Sequence, residues 1–448
     1  MLSPTDFGLM GIAAIGISTL ETFSRTGFDR ALIQRKGSVE DYLDTAWVVS
    51  IARGILLTGM LYLLSPSVAA FFRNQEAVPV VRALSLVFLL DGLRNVGVVL
   101  FQKELAFGRD AVLRQTQVVA EFIVAVWLAF RLGNVWAIVY GMLAGRMIGL
   151  LVSYAIQPYR PRLIFEAQKA KELFDFGRYV WGYMVIIFLI TQGDDALVGR
   201  VLGTAALGFY GLAYKISNFP ATGITHVISQ VTFPAYSKLQ DDIPRLREAY
   251  FRTLQFTTLL SIPVAGGLFI LAPEIVANVL GERWIPMVTT MQILCIFGAL
   301  RSIGATFGPL FQSVGRPDLV GRFSCFQLVF MAMVIYPLAI RWNILGVALA
   351  VVIPMIAAQA LQVQAAVQII QCGFRAFADL LVPVTGTIIM MVSLWLLKGS
   401  RGDIADVWEL FLLLFFGGLL YLVSAYIFDR VCNRGVFKNV VQVLRWVT

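Results

Sequence analysis

Arg53, Asp91, Arg94, Arg114, Glu121, Arg146, Asp194, Asp195, Lys215 and Arg301 lie inside stretches that are otherwise apolar. In hydrocarbon each such charge costs about 2.5–3.5 kcal/mol on insertion scales, so it persists where it is paired, snorkels to an interface or meets a polar substrate. Guanidinium forks match the geometry of phosphate oxygens, which makes Arg301, Arg53 and Arg94 candidates for binding a phosphate-bearing substrate. Asp91 precedes Arg94 by three residues, a spacing that predicts a mutual ion pair on one helix. Arg301 has no carboxylate within four residues on either side, so it is the first candidate to meet an anion. Arg114 and Arg146 read as snorkelling side chains. Asp194, Asp195, Asp91, Lys215 and His226 are the candidates for coupling or for a polar interior. His226 is the single histidine and follows Pro220 by six positions; it suits a proton relay or a hydrogen-bonded packing role. Pro220, Pro263 and Pro354 interrupt apolar runs and free backbone carbonyls, as kinks or cavity-lining helices do.

The elements that carry these residues are set by the solvent. The chain is 58% hydrophobic and 14% charged, with a mean hydropathy of +0.79, which calls for lipid rather than water. Runs long enough to cross about 30 Å of hydrocarbon are expected near 7–23, 46–64, 82–100, 111–130, 135–156, 179–199, 205–234, 253–273, 288–311, 319–340, 344–370, 381–397 and 409–427. The expected fold class is therefore an all-α polytopic membrane protein with about 13 transmembrane helices. A β-barrel is excluded, because these runs lack period-2 alternation and are twice the length of a barrel strand.

The net charge of +9 would suggest nucleic acid in a soluble protein, but the basic residues flank apolar spans and read as topology signals, so no nucleic-acid partner is expected. Alternate connections (24–45, 101–110, 157–178, 235–252, 312–322, 371–380 and 428–448) hold about 22 Lys and Arg against about 7 in the opposite set. The rule that basic loops stay inside then places the C-terminus in the cytoplasm and residue 1 outside. An outside N-terminus with no preceding signal predicts a further helix encoded upstream of Met1. The four cysteines form neither a disulfide framework nor a metal motif, and no cofactor is expected.

Pro79 to Gly97 aligns without gaps on Pro286 to Gly304, a constant shift of 207 positions that keeps the pattern Leu-Arg-x-[Val/Ile]-Gly. A similar offset sets Leu2 and Phe7-Gly8 against Leu202 and Leu207-Gly208. Both copies run in one direction through the membrane, the parallel-repeat logic of alternating-access transporters. The repeat predicts an N-terminal lobe at 1–170, a C-terminal lobe at 171–372 and two extra helices with a tail at 373–448. No phosphate loop, nucleophile elbow or histidine cluster is present, so transport is favoured over catalysis.

Leu2-Ser-Pro-Thr-Asp-Phe-Gly8, Thr26 to Gln34, Asp194 to Gly203, and Leu207 to Lys215 continuing to Phe233-Pro-Ala-Tyr-Ser-Lys-Leu-Gln-Asp241 together resemble the polysaccharide transporter family of lipid-linked oligosaccharide flippases, within the superfamily that also holds multidrug extruders. The resemblance spans nearly the whole chain. It implies two pseudo-symmetric six-helix lobes in a V plus two C-terminal helices, with the family's first helix missing here. It also implies a substrate of undecaprenyl-pyrophosphate-linked sugar units, moved to the outer leaflet of the bacterial inner membrane for surface or exopolysaccharide synthesis. The implied partners are a lipid-linked oligosaccharide, the bilayer, and polysaccharide polymerase and chain-length machinery. Asp194 matches the family's acid on its seventh helix and is expected to act in the lobe interior. Rival readings are a multidrug extruder, which the excess of arginine opposes, a lipid II flippase, and, from another class, a non-transporting membrane enzyme of polysaccharide assembly.

Overall fold

Inside a bilayer every backbone N–H and C=O must find its partner within the protein, so apolar runs of this length fold as helices. The computed structural model describes residues 2–24, 32, 39–104, 106–401, 407–432 and 435–437, whose regular structure is helical with no strand. Most of the motif Thr26 to Gln34 lies outside them.

By packing, the chain forms two units, Met1–Gly208 and Phe209–Thr448. The first holds α1 (Pro4–Ser24), α2 (Glu40–Phe71), α3 (Ala77–Leu93), α4 (Val96–Lys103), α5 (Phe107–Leu132), α6 (Trp136–Ile156) and α7 (Ala167–Leu197). α8 (Thr204–Ser217) begins in the first unit. In the second follow α9 (Thr225–Ser237), α10 (Ile243–Ile270), α11 (Val288–Gly304), α12 (Phe307–Ser313), α13 (Pro317–Ile369), α14 (Leu381–Arg401) and α15 (Val407–Val431). Among the described residues, nine helical stretches are long and apolar enough to cross a membrane, or ten if the bent pair α3–α4 counts as one span.

α1 shows how a sequence motif becomes structure. Ser3 precedes the first turn, its Oγ accepts the Asp6 N–H at 3.2 Å, and Asp6 Oδ2 accepts the Ser3 N–H at 2.8 Å and its hydroxyl at 2.6 Å. This reciprocal cap satisfies orphan amides of the first turn, and Pro4 sits where no N–H is needed. Asp6 Oδ1 also accepts the Val135 N–H at 2.8 Å, tying the cap to the start of α6.

The expected spans are all helical, with corrections in three places. The stretch 157–178, expected as a loop, turns helical at Ala167, where α7 begins. The 205–234 run is two helices separated by a π-helical turn at Pro220–Ile224. The expected division between 319–340 and 344–370 is present: α13 is two helical arms parted at Trp342 and Asn343, where Asn343 adopts φ 50° and ψ −138°. Its arms fold back on each other: a Cβ at Gly346 would lie 1.9 Å from the Leu338 carbonyl oxygen, an approach only glycine permits. The 82–100 run is bent by 71° between α3 and α4.

That bend is held by side chains. Arg94 leaves the helix at φ −57° and ψ 145°. Asn95 Oδ1 accepts the Gly97 N–H at 2.9 Å, its Nδ2 donates to the Tyr159 carbonyl at 2.8 Å, and its N–H donates to Ser153 Oγ at 3.1 Å. The Leu93 carbonyl, orphaned by the break, accepts the Tyr154 hydroxyl at 3.0 Å. In the equivalent place of the second copy, α11 runs on through Arg301 to Gly304, and the Leu300 carbonyl accepts the Gln359 amide.

The connection after α6 folds over the start of α2. The Tyr159 hydroxyl donates to Asp44, and the Arg162 N–H donates to the same carboxylate oxygen at 2.8 Å. Burial, with Asp44 beside it, raises the Tyr159 pKa above the ordinary phenol range, so it stays the donor.

In the second unit α14 and α15 pack on α10. The Tyr421 hydroxyl donates to the Leu259 carbonyl at 2.8 Å, and Lys398 Nζ meets Glu274 Oε1 at 2.5 Å and the Ile270 carbonyl at 3.2 Å. The pair is largely shielded, with side chains 20% and 14% exposed, and Glu274 Oε2 is buried with no partner of its own. Lys398→Met strands the carboxylate; we expect a loss of about 2 kcal/mol, part of it recovered in Lys398→Met/Glu274→Gln. Thermal unfolding in detergent measures it, and a single variant as stable as the parent would show that the pair contributes nothing.

Candidate functional site

Arg301 stands in the last turn of α11, half-buried, and its Nη1 donates to the Tyr214 hydroxyl at 3.0 Å. The Tyr214 ring is in turn packed against Phe297, with centroids 5.8 Å apart. A neutral phenol orients the guanidinium without cancelling its charge, and no carboxylate pairs with Arg301 among the described residues. Packing enforces this. Gly298 takes the place that Asp91 has in the first copy, and a Cβ there would lie 2.3 Å from the Ser217 carbonyl oxygen, so no aspartate fits beside Arg301. Sequence reasoning identified Arg301 but missed Tyr214, although Tyr214 belongs to the Leu207 to Lys215 motif.

In the first unit the expected Asp91–Arg94 pair is replaced by another. Because α3 ends at Leu93, Arg94 no longer lies on the helical face of Asp91, and Asp91 instead accepts from Arg146 Nη1 at 3.2 Å through both oxygens. Arg146 is therefore a bonded partner across two helices and not a snorkelling side chain. Arg114 pairs with Asp110 at 2.9 Å along its own helix. Arg94 remains without an ion pair among the described residues, and its Nε is buried with no hydrogen-bond partner. It lies in electrostatic range of Asp91, Asp110, Arg114 and Arg146, and Asp91 in turn of Glu21.

Arg53 donates to Ser24 Oγ through Nε at 3.2 Å and Nη2 at 3.0 Å, which fixes its fork at the end of α1. Asp194 is buried at 1% exposure near the end of α7, and one of its oxygens accepts the Asp195 N–H at 3.0 Å. Asp195 Oδ1 is buried without a hydrogen-bond partner. These two acids precede a π-helical turn, Val198–Leu202, that Gly203 closes at φ 95° by donating to the Val198 carbonyl at 3.1 Å. Lys215 is exposed, and the side chain of His226 lies outside the described residues. Among the described residues no group of three or more His, Cys, Asp or Glu could hold a metal ion.

Arg53, Arg94, Asp91, Asp194 and Asp195 thus belong to the first unit, and Arg301 and Lys215 to the second. Arg94 and Arg301 are equivalent by the 207-residue shift, and each offers a guanidinium with no ion pair among the described residues.

The family model described as "Polysaccharide biosynthesis protein" matches residues 1–289. The chain is 28% identical over 328 residues to the lipopolysaccharide biosynthesis protein WzxC of Escherichia coli (strain K12), a match covering 72% of this chain and 66% of WzxC. It is 29% identical over 295 residues to the teichuronic acid biosynthesis protein TuaB of Bacillus subtilis (strain 168), covering 65% of this chain and 61% of TuaB. The matched region thus spans just under two thirds of either relative. In fold the chain is similar to the lipid II flippase MurJ in an inward closed conformation, with a TM-score of 0.74 at 14% identity over 96% of this chain and 92% of that one.

Proposed function

We propose, for a chain that belongs to the polysaccharide biosynthesis protein family, a transport function. It moves a polyprenyl-pyrophosphate-linked oligosaccharide, with undecaprenyl as the lipid, from the inner to the outer leaflet of the bacterial cytoplasmic membrane by alternating access. The observation that carries this reading is the pair Arg94 and Arg301. Two intramembrane guanidinium groups at repeat-equivalent positions, each without an ion pair among the described residues, suit a substrate whose head is a diphosphate.

In this reading Arg301 leads, Arg94 and Arg53 assist, and Asp194 with Asp195 serves coupling; Asp91 is taken up by Arg146. Lys215 and His226 enter on sequence alone. The repeat supports lobes at 1–170 and 171–372 with a helix pair and tail at 373–448, and the loop charges support a cytoplasmic C-terminus. The same reading gives the chain no catalytic step, and its partners are the lipid-linked substrate, the bilayer, and polymerase and chain-length machinery.

Deletion of the gene in its own host tests the proposal. We expect loss of a surface polysaccharide, accumulation of lipid-linked oligosaccharide on the cytoplasmic side, and restoration of both by a plasmid-borne copy. Unchanged polysaccharide with a block in peptidoglycan synthesis would reassign the substrate to lipid II, and no envelope change at all would sink the transport reading.

A further inference from the structure

One arginine of the first unit stands apart from the site above. Arg82 is the sixth residue of α3, exposed, on the wall of a cavity of about 420 Å³ between α2 and α3 that Thr58, Tyr62, Pro79, Ser85 and Leu86 also line. Its Nε donates to Ser65 Oγ at 3.1 Å, and its guanidinium carbon lies 4.9 Å from the centroid of the Tyr62 ring. Pro66 builds the geometry from below: lacking an N–H, it leaves the Tyr62 carbonyl unbonded four residues back, and the Ser65 hydroxyl donates to that carbonyl at 2.7 Å. Among the described residues Arg82 has no carboxylate partner and the Tyr62 hydroxyl has no hydrogen-bond partner. The terminal nitrogens of Arg82 and the Tyr62 hydroxyl therefore stand at one cavity with no acceptor among the described residues.

The repeat supplies an internal control. At a shift of 207 positions Pro79 meets Pro286, but Arg82 meets Thr289, Tyr62 meets Phe269, Ser65 meets Ala272 and Thr58 meets Ala265, so the cation and three hydroxyls are gone. The second copy also closes this face with protein. Gly266 packs against α14, where an added Cβ would lie 2.4 Å from Thr387 and 3.3 Å from Met391; at its equivalent Gly59, nothing lies within 4 Å. Around Gly59 the α2 face is open, with Ile55 58% and Leu63 76% exposed. The open copy is the one that carries the donors.

We propose that this groove binds an anionic membrane phospholipid, with Arg82 and Tyr62 donating to its phosphate oxygens and an acyl chain lying along α2 where α14 lies on α10. An exposed arginine about one and a half turns from a helix end reaches the level of lipid phosphates, and a phosphate supplies the counter-charge that the protein withholds. The inference needs only that the chain resides in a membrane, so its failure and that of the transport reading are separate results.

Native mass spectrometry of the purified full chain, titrated with phosphatidylglycerol and with diacylglycerol, tests it. We expect phosphatidylglycerol to be retained more strongly than diacylglycerol, and Arg82→Met to weaken phosphatidylglycerol retention roughly tenfold, the scale of one lost charge-assisted contact, while leaving diacylglycerol unchanged. Tyr62→Phe keeps the ring, is expected to act in the same direction with a smaller effect, and carries the test alone if Arg82→Met does not fold. Equal phosphatidylglycerol retention by the parent and the folded variants would overturn the proposal. So would equal loss of both lipids, which would make the groove a seat for tails only, or a stoichiometric protein partner held there in place of lipid.

Discussion

On the proposed transport function, Arg301→Ala is expected to abolish export of the polysaccharide and Arg301→Lys to restore it only in part. A diphosphate entering a low-dielectric cleft loses hydration that close, charge-assisted hydrogen bonds replace, each worth about 1.5–3 kcal/mol. Tyr214 already aims the fork through Nη1 and leaves its charge intact, and Gly298 excludes the aspartate that would neutralise it. Lysine keeps the charge but presents a point donor in place of a planar fork, so it recovers attraction without bidentate geometry. Tyr214→Phe serves as the companion variant, because it removes the aiming bond alone and should lower export less than Arg301→Ala. Surface polysaccharide measured against membrane abundance decides the matter. Full export by a normally abundant Arg301→Ala protein would return the residue to a structural role.

Gly8→Ala and Gly208→Ala are each expected to destabilise the first unit by about 3 kcal/mol, the upper end for overpacking, because the obstacle is backbone rather than a movable side chain. A Cβ on Gly8 would lie 1.9 Å from the Thr204 carbonyl oxygen, and a Cβ on Gly208 would lie 1.9 Å from the Pro4 carbonyl oxygen. The contact is reciprocal: α1 meets the start of α8, and each glycine faces the residue four before the other. One separation of the two helices relieves both clashes, so the double variant should cost clearly less than the sum of the singles. Thermal unfolding in detergent reads all three. Single variants as stable as the parent would mean that the helices are not this close.

Helical class and span positions were legible because hydrocarbon admits few alternatives, and every expected span is helical. What escaped was set by contacts distant in sequence. Asp91 and Arg94 have the spacing of an ion pair, yet Asn95 and Gly97 end the helix between them and Asp91 turns to Arg146, 55 residues on. The α7 start at Ala167 was hidden in a basic stretch whose polar side chains tie to α2, as Lys169 Nζ does in donating to the Asp41 carbonyl at 2.9 Å. One signal was present and unused. Val-x-x-Val-Leu-Gly occurs at 198–203 and again at 276–281, and both copies form a π-helical turn closed by a glycine at φ 95°. Of the candidate site, Arg301 and its missing counter-ion were readable, whereas Tyr214 and Ser24, which orient two of the arginines, carry no mark of that role in the sequence.

The 71° bend between α3 and α4 looks like a joint, but its bonds make it an elbow in a cast. A hinge needs a few residues free to absorb changes in φ and ψ. Here the Leu93 carbonyl, the Asn95 amide and the Gly97 carbonyl are each held by α6 or the residue that follows it, through Tyr154, Ser153 and Gln157. Any rocking of α6 therefore carries the bend with it as one lever, and Arg94, at the crook, travels with that lever instead of swinging on its own.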